Sequence, residues 1–236
     1  DTVLEPSAGI GGIAVFAKKK GATVYVNELD KRRLSLLKQL NFNGYYNENA
    51  EHIHNILGDT ISPNVVVMNP PFASSAERNI KDNKIGAEHI KAALNILADG
   101  GRLVAISGRG MSDNAPSYSK WWSDIKKDYN VRANIGLHGK NYAKYGTTFD
   151  VQMMVIDKNG ATKGDVLTGN VETVQELHDM LRSVKDGRTE VTAEQRESQP
   201  DGIGISETSE RLGRTEPGNA VSEPTVRVGG VEQPDT

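Results

Sequence analysis

Four short strand-like runs, DTVLEP (1–6), ATVYVNEL (22–29), NVVVMN (64–69) and GRLVAISG (101–108), are each followed by a helical stretch before the next long strand. Strands joined across a helix pair in parallel, because a parallel connection must cross over the sheet. Runs this apolar need cover on both faces. The pattern predicts an α/β chain with a mostly parallel sheet between two layers of helices. Helices are expected over 15–20, from Asp30 as N-cap through 42, over 51–57, over 86–97 and over WWSDIKKDY (121–129). VRANIGL (131–137) and TFDVQMMVID (148–157) are close enough to pair as an antiparallel hairpin at one sheet edge.

The globular region is expected to end near residue 158, followed by a short strand and helix extension over 159–185. From 186 to 236 there is no aromatic residue, and Pro, Gly, Ser, Thr and Glu recur throughout. Such a composition cannot bury a core, so this stretch reads as a disordered acidic tail or linker. Residues 1–158 hold 20 Lys and Arg against 16 Asp and Glu, a net +4, and the remainder hold 8 against 15, a net −7. A mildly basic body is compatible with a polyanionic partner without requiring one.

Cysteine is absent, which excludes disulfides and thiolate metal sites. His52 and His54, the closest pair of histidines, would face different sides of a helix, so no metal is expected. No apolar run is long enough to cross a bilayer and no signal peptide opens the chain, so a cytoplasmic protein is expected. Residue 1 already lies within a strand, which reads as a fragment of a longer protein.

EPSAGIGGIA places Gly9, Gly11 and Gly12 between the first strand and the first helix. The spacing Gly9-x-Gly11-x-x-Ala14, with the acidic Glu28 ending the second strand, satisfies a dinucleotide fingerprint. The glycines admit a ligand close to the backbone, and the carboxylate can accept both hydroxyls of a ribose. The loop alone indicates an adenosine-type cofactor and does not choose between NAD and S-adenosylmethionine.

The run VVVM ends in Asn69-Pro70-Pro71-Phe72, a tetrapeptide that neither extends a sheet nor starts a helix. It suits a planar amine, whose lone pair is delocalised and weakly nucleophilic. Two acceptors on its N–H bonds, the side-chain oxygen of Asn69 and the carbonyl of Pro70, favour a pyramidal nitrogen and stabilise the transition state over the ground state. The fixed φ and missing N–H of proline keep that carbonyl out of the ladder, Pro71 continues the rigid turn, and Phe72 offers a stacking face.

EPSAGIGG, Glu28 and NPPF together resemble the motifs of class I S-adenosylmethionine-dependent amino-methyltransferases, in particular the DNA adenine methylases, over residues 1 to about 158. The resemblance implies a Rossmann-like fold, S-adenosyl-L-methionine as cofactor, and methylation of the 6-amino group of an adenine flipped out of DNA. By position, Glu5, Pro6, Ser7, Ala8, Gly9 and Gly11 would line the methionine end of the cofactor and Glu28 with Leu29 its ribose. Asn49 and Ala50 would meet its adenine, although Asn49 stands where the family usually has Asp, and Asn69 would border both ligands. GRLVAISGRGM and YGTTFDVQMMVIDKNG are further similar to methylase domains of phage and plasmid proteins that carry a strawberry-notch-like helicase. That implies a helicase region in the same longer polypeptide as a partner. The separate target-recognition region of many adenine methylases has no counterpart here.

Between Arg109 and Tyr145 basic residues interleave with aromatics, a nucleic-acid signature in which Trp121 and Trp122 are better read as core. In the loop HGKNYAKYGTTF (138–149), Lys144, Tyr145 and Phe149 are candidate substrate contacts. The polar stretch ASSAERNIKDNKIG (73–86) reads as a loop over the active site. An RNA adenine or a protein glutamine would suit the same tetrapeptide, although the glutamine enzymes usually carry Tyr where this chain has Phe72. A catalytically silent nucleic-acid-binding module and a dehydrogenase complete the alternatives.

Overall fold

The computed structural model describes residues 1–71, 84–146, 148–185 and 187. Phe72, most of the 73–86 loop and the 186–236 tail, apart from Gly187, lie outside the described residues.

The strands are β1 (Thr2–Glu5), β2 (Thr23–Asn27), β3 (Gly44–Tyr46), β4 (Val65–Met68), β5 (Arg102–Gly108), β6 (Asn130–Leu137), β7 (Val151–Asp157) and β8 (Leu167–Val171). The helices are α1 (Ala14–Lys19), α2 (Lys31–Leu37), α3 (Ile53–Leu57), α4 (Ile85–Ile96), α5 (Ser119–Asp128) and α6 (Val174–Lys185). They surround one eight-stranded sheet in the order β3-β2-β1-β4-β5-β7-β6-β8. The first five strands in that row are parallel and β7 runs antiparallel between β5 and β6. The direction reverses after β1, so β1 and β4 lie side by side although 59 residues separate their facing ends. Open α/β sheets bind ligands at the carboxyl ends of such a reversal.

β6 and β7 pair antiparallel as their short connection requires, with Leu137 opposite Val151. They do not form the sheet edge. The chain crosses beneath β6 after β7 and adds β8 in parallel on its far side, with Leu137 beside Val171. Thr162 ties this crossing down: its hydroxyl donates to the Tyr129 carbonyl and accepts from the Val131 N–H. β8 is mostly exposed and broken by Gly169, so it lacks the alternation that marks a strand in sequence.

Capping fixes where α2 begins. The Asp30 carboxylate accepts from the Arg32 and Arg33 amides, both at 2.9 Å. Replacing Asp30 by alanine removes this cap and is expected to lower Tm. Helix α4 is buried around most of its circumference and carries four of the alanines and leucines that fill the space between the sheet and α3. Trp122 is core, its indole donating to the Met111 and Ser112 carbonyls, and Trp121 packs edge-on against it at 4.7 Å. No described helix is long and apolar enough to cross a membrane.

Candidate active site

The glycine loop leaves β1 at Glu5 and returns into α1. The Ala8 amide donates to the Asn27 carbonyl, and the Gly11 amide closes a turn on the Ala8 carbonyl. Gly9 and Gly11 take positive φ values of 57° and 87°, where a side chain is strained. They do different work. Around Gly9 nothing lies within 4 Å of where a Cβ would stand, so the loop surface there is open to a ligand. At Gly11 a Cβ would meet Leu37 and Leu40 at 2.9 Å, so this glycine admits the side chains that pack beneath the loop.

Glu28 lies 5 % exposed at the end of β2, and both its oxygens are engaged. Oε2 accepts from the Gly9 amide at 2.7 Å, while Oε1 accepts from the Asp30 amide and from the Arg33 guanidinium. A ribose can take Oε1 by displacing Arg33, whose side chain is 54 % exposed and able to swing aside. Leu29 is exposed beside it. Asn27, which sequence reasoning passed over, staples the site: its amide donates to the Pro6 and Glu48 carbonyls and accepts from the Glu48 N–H. The signal was present as one amide ending an otherwise apolar strand. Beyond β3, Asn49 is turned to cap the short 3-10 segment that starts at the buried Ala50, accepting from the Glu51 amide.

Glu5 is 2 % exposed and accepts from the Ala14 amide at 2.7 Å. Burial pushes its carboxyl up to about 8, against the pull of the Ala14 hydrogen bond and with a further push from the Glu28 carboxylate. The native state therefore holds a proton that the unfolded chain releases above about 4.5. Stability from this group is fully present at pH 4 and is lost as pH rises toward 8, by up to roughly 3–5 kcal/mol. Glu5→Gln is expected to raise Tm relative to wild type at pH 8.5 and to change it little at pH 4.5; equal shifts at both would contradict this. His89 on α4 was also missed. It is buried with Nδ1 3.4 Å from the Ser7 hydroxyl, and burial lowers its pKa against the attraction of Glu51. Its neutral form supports the loop from below, a contribution lost as pH falls below 6.5.

At the end of β4, next to β1, Asn69 is exposed, Pro70 is buried and Pro71 is exposed. Gly86 on α4 lets the tetrapeptide pass closely, since a Cβ there would lie 3.2 Å from the Pro71 carbonyl. The next strand end, Gly108 and Arg109, forms with Phe149 and Asp150 a cleft of about 470 Å³. Lys144 and Tyr145 belong to the 3-10 segment Gly139–Tyr145. The basic and aromatic stretch is not a free cationic face. Arg109, Lys120, Lys126, Lys127, Arg132 and Lys140 all have acidic partners within 4.0 Å. Among the described residues no group of His, Asp and Glu could hold a metal ion.

Glycines at the end of β1, an acid at the end of β2 and an exposed asparagine at the end of β4 thus share one rim, and the open Gly9 surface fits an adenosine-type cofactor. Residues 1–115 match the family model of the methyltransferase small domain. No curated protein matches the chain. A protein from Listeria monocytogenes assigned to the class I S-adenosylmethionine-dependent methyltransferases superposes with TM-score 0.60 at 14 % identity, over 77 % of this chain and 64 % of that one. The type I restriction-modification methyltransferase subunit from Streptococcus thermophilus gives 0.57 at 16 %, over 80 % and 48 %. The M protein of the type I restriction enzyme EcoKI gives 0.58 at 15 %, over 73 % and 44 %. The chain spans under two thirds of the Listeria protein and under half of each of the other two. The chain has the class I methyltransferase fold, whose methyl donor is S-adenosyl-L-methionine.

Proposed function

We propose that the chain methylates the exocyclic 6-amino group of adenine in DNA. The observation that carries this reading is the exposed Asn69 at the end of β4, set beside the glycine loop of β1 and followed by a buried proline. The donor, when bound, supplies an electrophilic methyl group on a sulfonium. Glu28 holds the ribose after Arg33 swings away, and the open backbone at Gly9 receives the methionine end. Asn69 Oδ1 and the Pro70 carbonyl accept from the two amine N–H groups, favouring a pyramidal nitrogen whose lone pair is withdrawn from the ring and directed at the methyl group. The protonated product loses its extra proton to water, so no general base is needed. Phe72 and Phe149 offer stacking faces to the flipped base.

Likeness to subunits named as restriction-modification methyltransferases supports DNA over other acceptors. The tetrapeptide itself suits any planar amine, so an acceptor panel is the direct test. Tritium from labelled cofactor is offered to DNA, RNA and protein, and label is expected in DNA. Label confined to RNA or to glutamine side chains would overturn the substrate assignment. A strawberry-notch-like helicase region of a longer polypeptide is the partner proposed from the sequence resemblance, and it would supply the duplex opening that base extrusion needs.

A further inference from the structure

A second cleft, of about 250 Å³, opens where β6 and β8 end and β7 begins, and the proposed reaction does not use it. Its floor is a cross-strand row in which Gln152 on β7 faces Gly136 on β6, and Gly136 faces Asn170 on β8. A Cβ at Gly136 would stand 2.1 Å from Asn170 Oδ1 and 3.3 Å from Gln152 Nε2. The missing side chain is what lets the two amides converge. Gln152 is 3 % exposed and lines the cleft, so what its side chain shows of itself faces into that space. Side-chain amides that converge on the floor of a cleft offer a ligand paired acceptors and donors.

The charges at the mouth are already paired. Asp150 accepts from the Gly139 amide at 2.8 Å and from Arg109 at 2.7 Å, and Glu172 accepts from Lys140 at 2.7 Å. The cleft therefore favours a neutral polar ligand over an ion. Its volume falls just below the roughly 300–1,000 Å³ of drug-sized ligand sites, which suits a single planar ring system.

We infer that this cleft is a second nucleobase site, taking a base that presents an amino group beside an unprotonated ring nitrogen on its Watson–Crick or major-groove edge, adenine or cytosine, from the strand being methylated. The inference rests on the proposed reading of the chain as a DNA methyltransferase. The Gln152 carbonyl oxygen accepts from the exocyclic amine while its N–H donates to the neighbouring ring nitrogen, the bidentate pairing that glutamine makes with adenine. Asn69 and Gln152 stand at the same end of the sheet, on β4 and β7, with only β5 between them. Two inter-strand gaps amount to about 10 Å, which a strand crosses in about three nucleotides at stacked spacing and in fewer when unstacked. The pleat directs the two side chains to opposite faces, so the nucleic acid passes over the rim of the sheet between them. The cleft thereby reads one base near the target.

The test is tritium transfer to oligonucleotides with one target adenine and each of the two positions on either side varied through the four bases. The wild-type chain is expected to prefer adenine or cytosine at one of those positions by roughly 5- to 150-fold. Gln152→Leu, which removes the amide, and Gly136→Ala, which fills the floor, are expected to erase the preference while transfer to the least favoured oligonucleotide persists. Asn170→Ala, at an exposed position, is expected to weaken it without touching the fold. No preference in the wild type, or a preference unchanged in Gln152→Leu, overturns the inference.

Absence of transfer to every oligonucleotide instead overturns the proposed function, and the cleft is then read by itself. Adenosine, cytidine, guanosine and thymidine are titrated into the nitrogen-15-labelled chain, with the Gln152 side-chain amide signal assigned from Gln152→Leu. A shift of that signal with adenosine or cytidine alone supports the site. No shift, or the same shift with all four, overturns it.

Discussion

Asn69→Ala is expected to lower methyl transfer by about 10²- to 10³-fold, the loss that follows removal of one preorganised partner of the reacting group. Because Asn69 is exposed, the variant is expected to fold with an unchanged Tm and to keep most of its affinity for S-adenosylhomocysteine. The combination separates an orienting role from a structural one. A variant that transferred methyl groups at the wild-type rate would remove the side-chain acceptor from the mechanism. A variant that lost cofactor binding entirely would make Asn69 a cofactor residue first.

The largest stability effect is expected far from the rim, at the opposite end of the sheet. Arg102 and Asp157, facing one another across β5 and β7, form a bidentate pair at 2.6 and 2.8 Å with side chains only 8 % and 4 % exposed. Arg102 also donates to the Val184 carbonyl and so anchors α6 to the sheet, while Arg132 adds a second contact to Asp157 at 3.3 Å. Asp157→Ala leaves a buried guanidinium without its counter-ion, at a cost of about 3–5 kcal/mol. For a domain of this size that is a fall in Tm of about 6–20 °C. The double variant Arg102→Met, Asp157→Leu removes both charges and is expected to recover most of the loss. If the double variant melts no higher than Asp157→Ala, the uncompensated charge is not the cause.

β1, β2, β4 and β5 could be read from the chain because each announces itself locally, whereas their order across the sheet could not. VVVM and RLVAIS are too apolar for anything but a buried strand, and Asp30 caps α2 as its sequence position requires. The outer part of the sheet was less legible. β8 was foreseen only as part of a short extension, because its residues are mostly polar and exposed and its place is fixed by Thr162 contacts across more than thirty residues. The same division holds at the site. Gly9, Glu28 and Asn69 were visible as residue types at strand ends, and the structure brings them to one rim. The engagement of Glu28 by Arg33 was not, nor was the turn of Gly11 toward Leu37 and Leu40. Both depend on how α2 lies against the loop, which no local pattern states. The cations of 109–140 looked like a phosphate-binding face because their partners, such as Asp150 and Glu172, lie up to 41 residues away.

The most direct measurement is to incubate the purified chain with methyl-labelled S-adenosylmethionine and adenine-containing DNA, digest the DNA to nucleosides and identify the labelled product. Label in N6-methyldeoxyadenosine, absent from the Asn69→Ala reaction, is the expected result. A chain that binds S-adenosylhomocysteine yet leaves the DNA unlabelled, or places the label on any atom other than the adenine 6-amino nitrogen, would contradict the assignment of Asn69 and Pro70 to that amine.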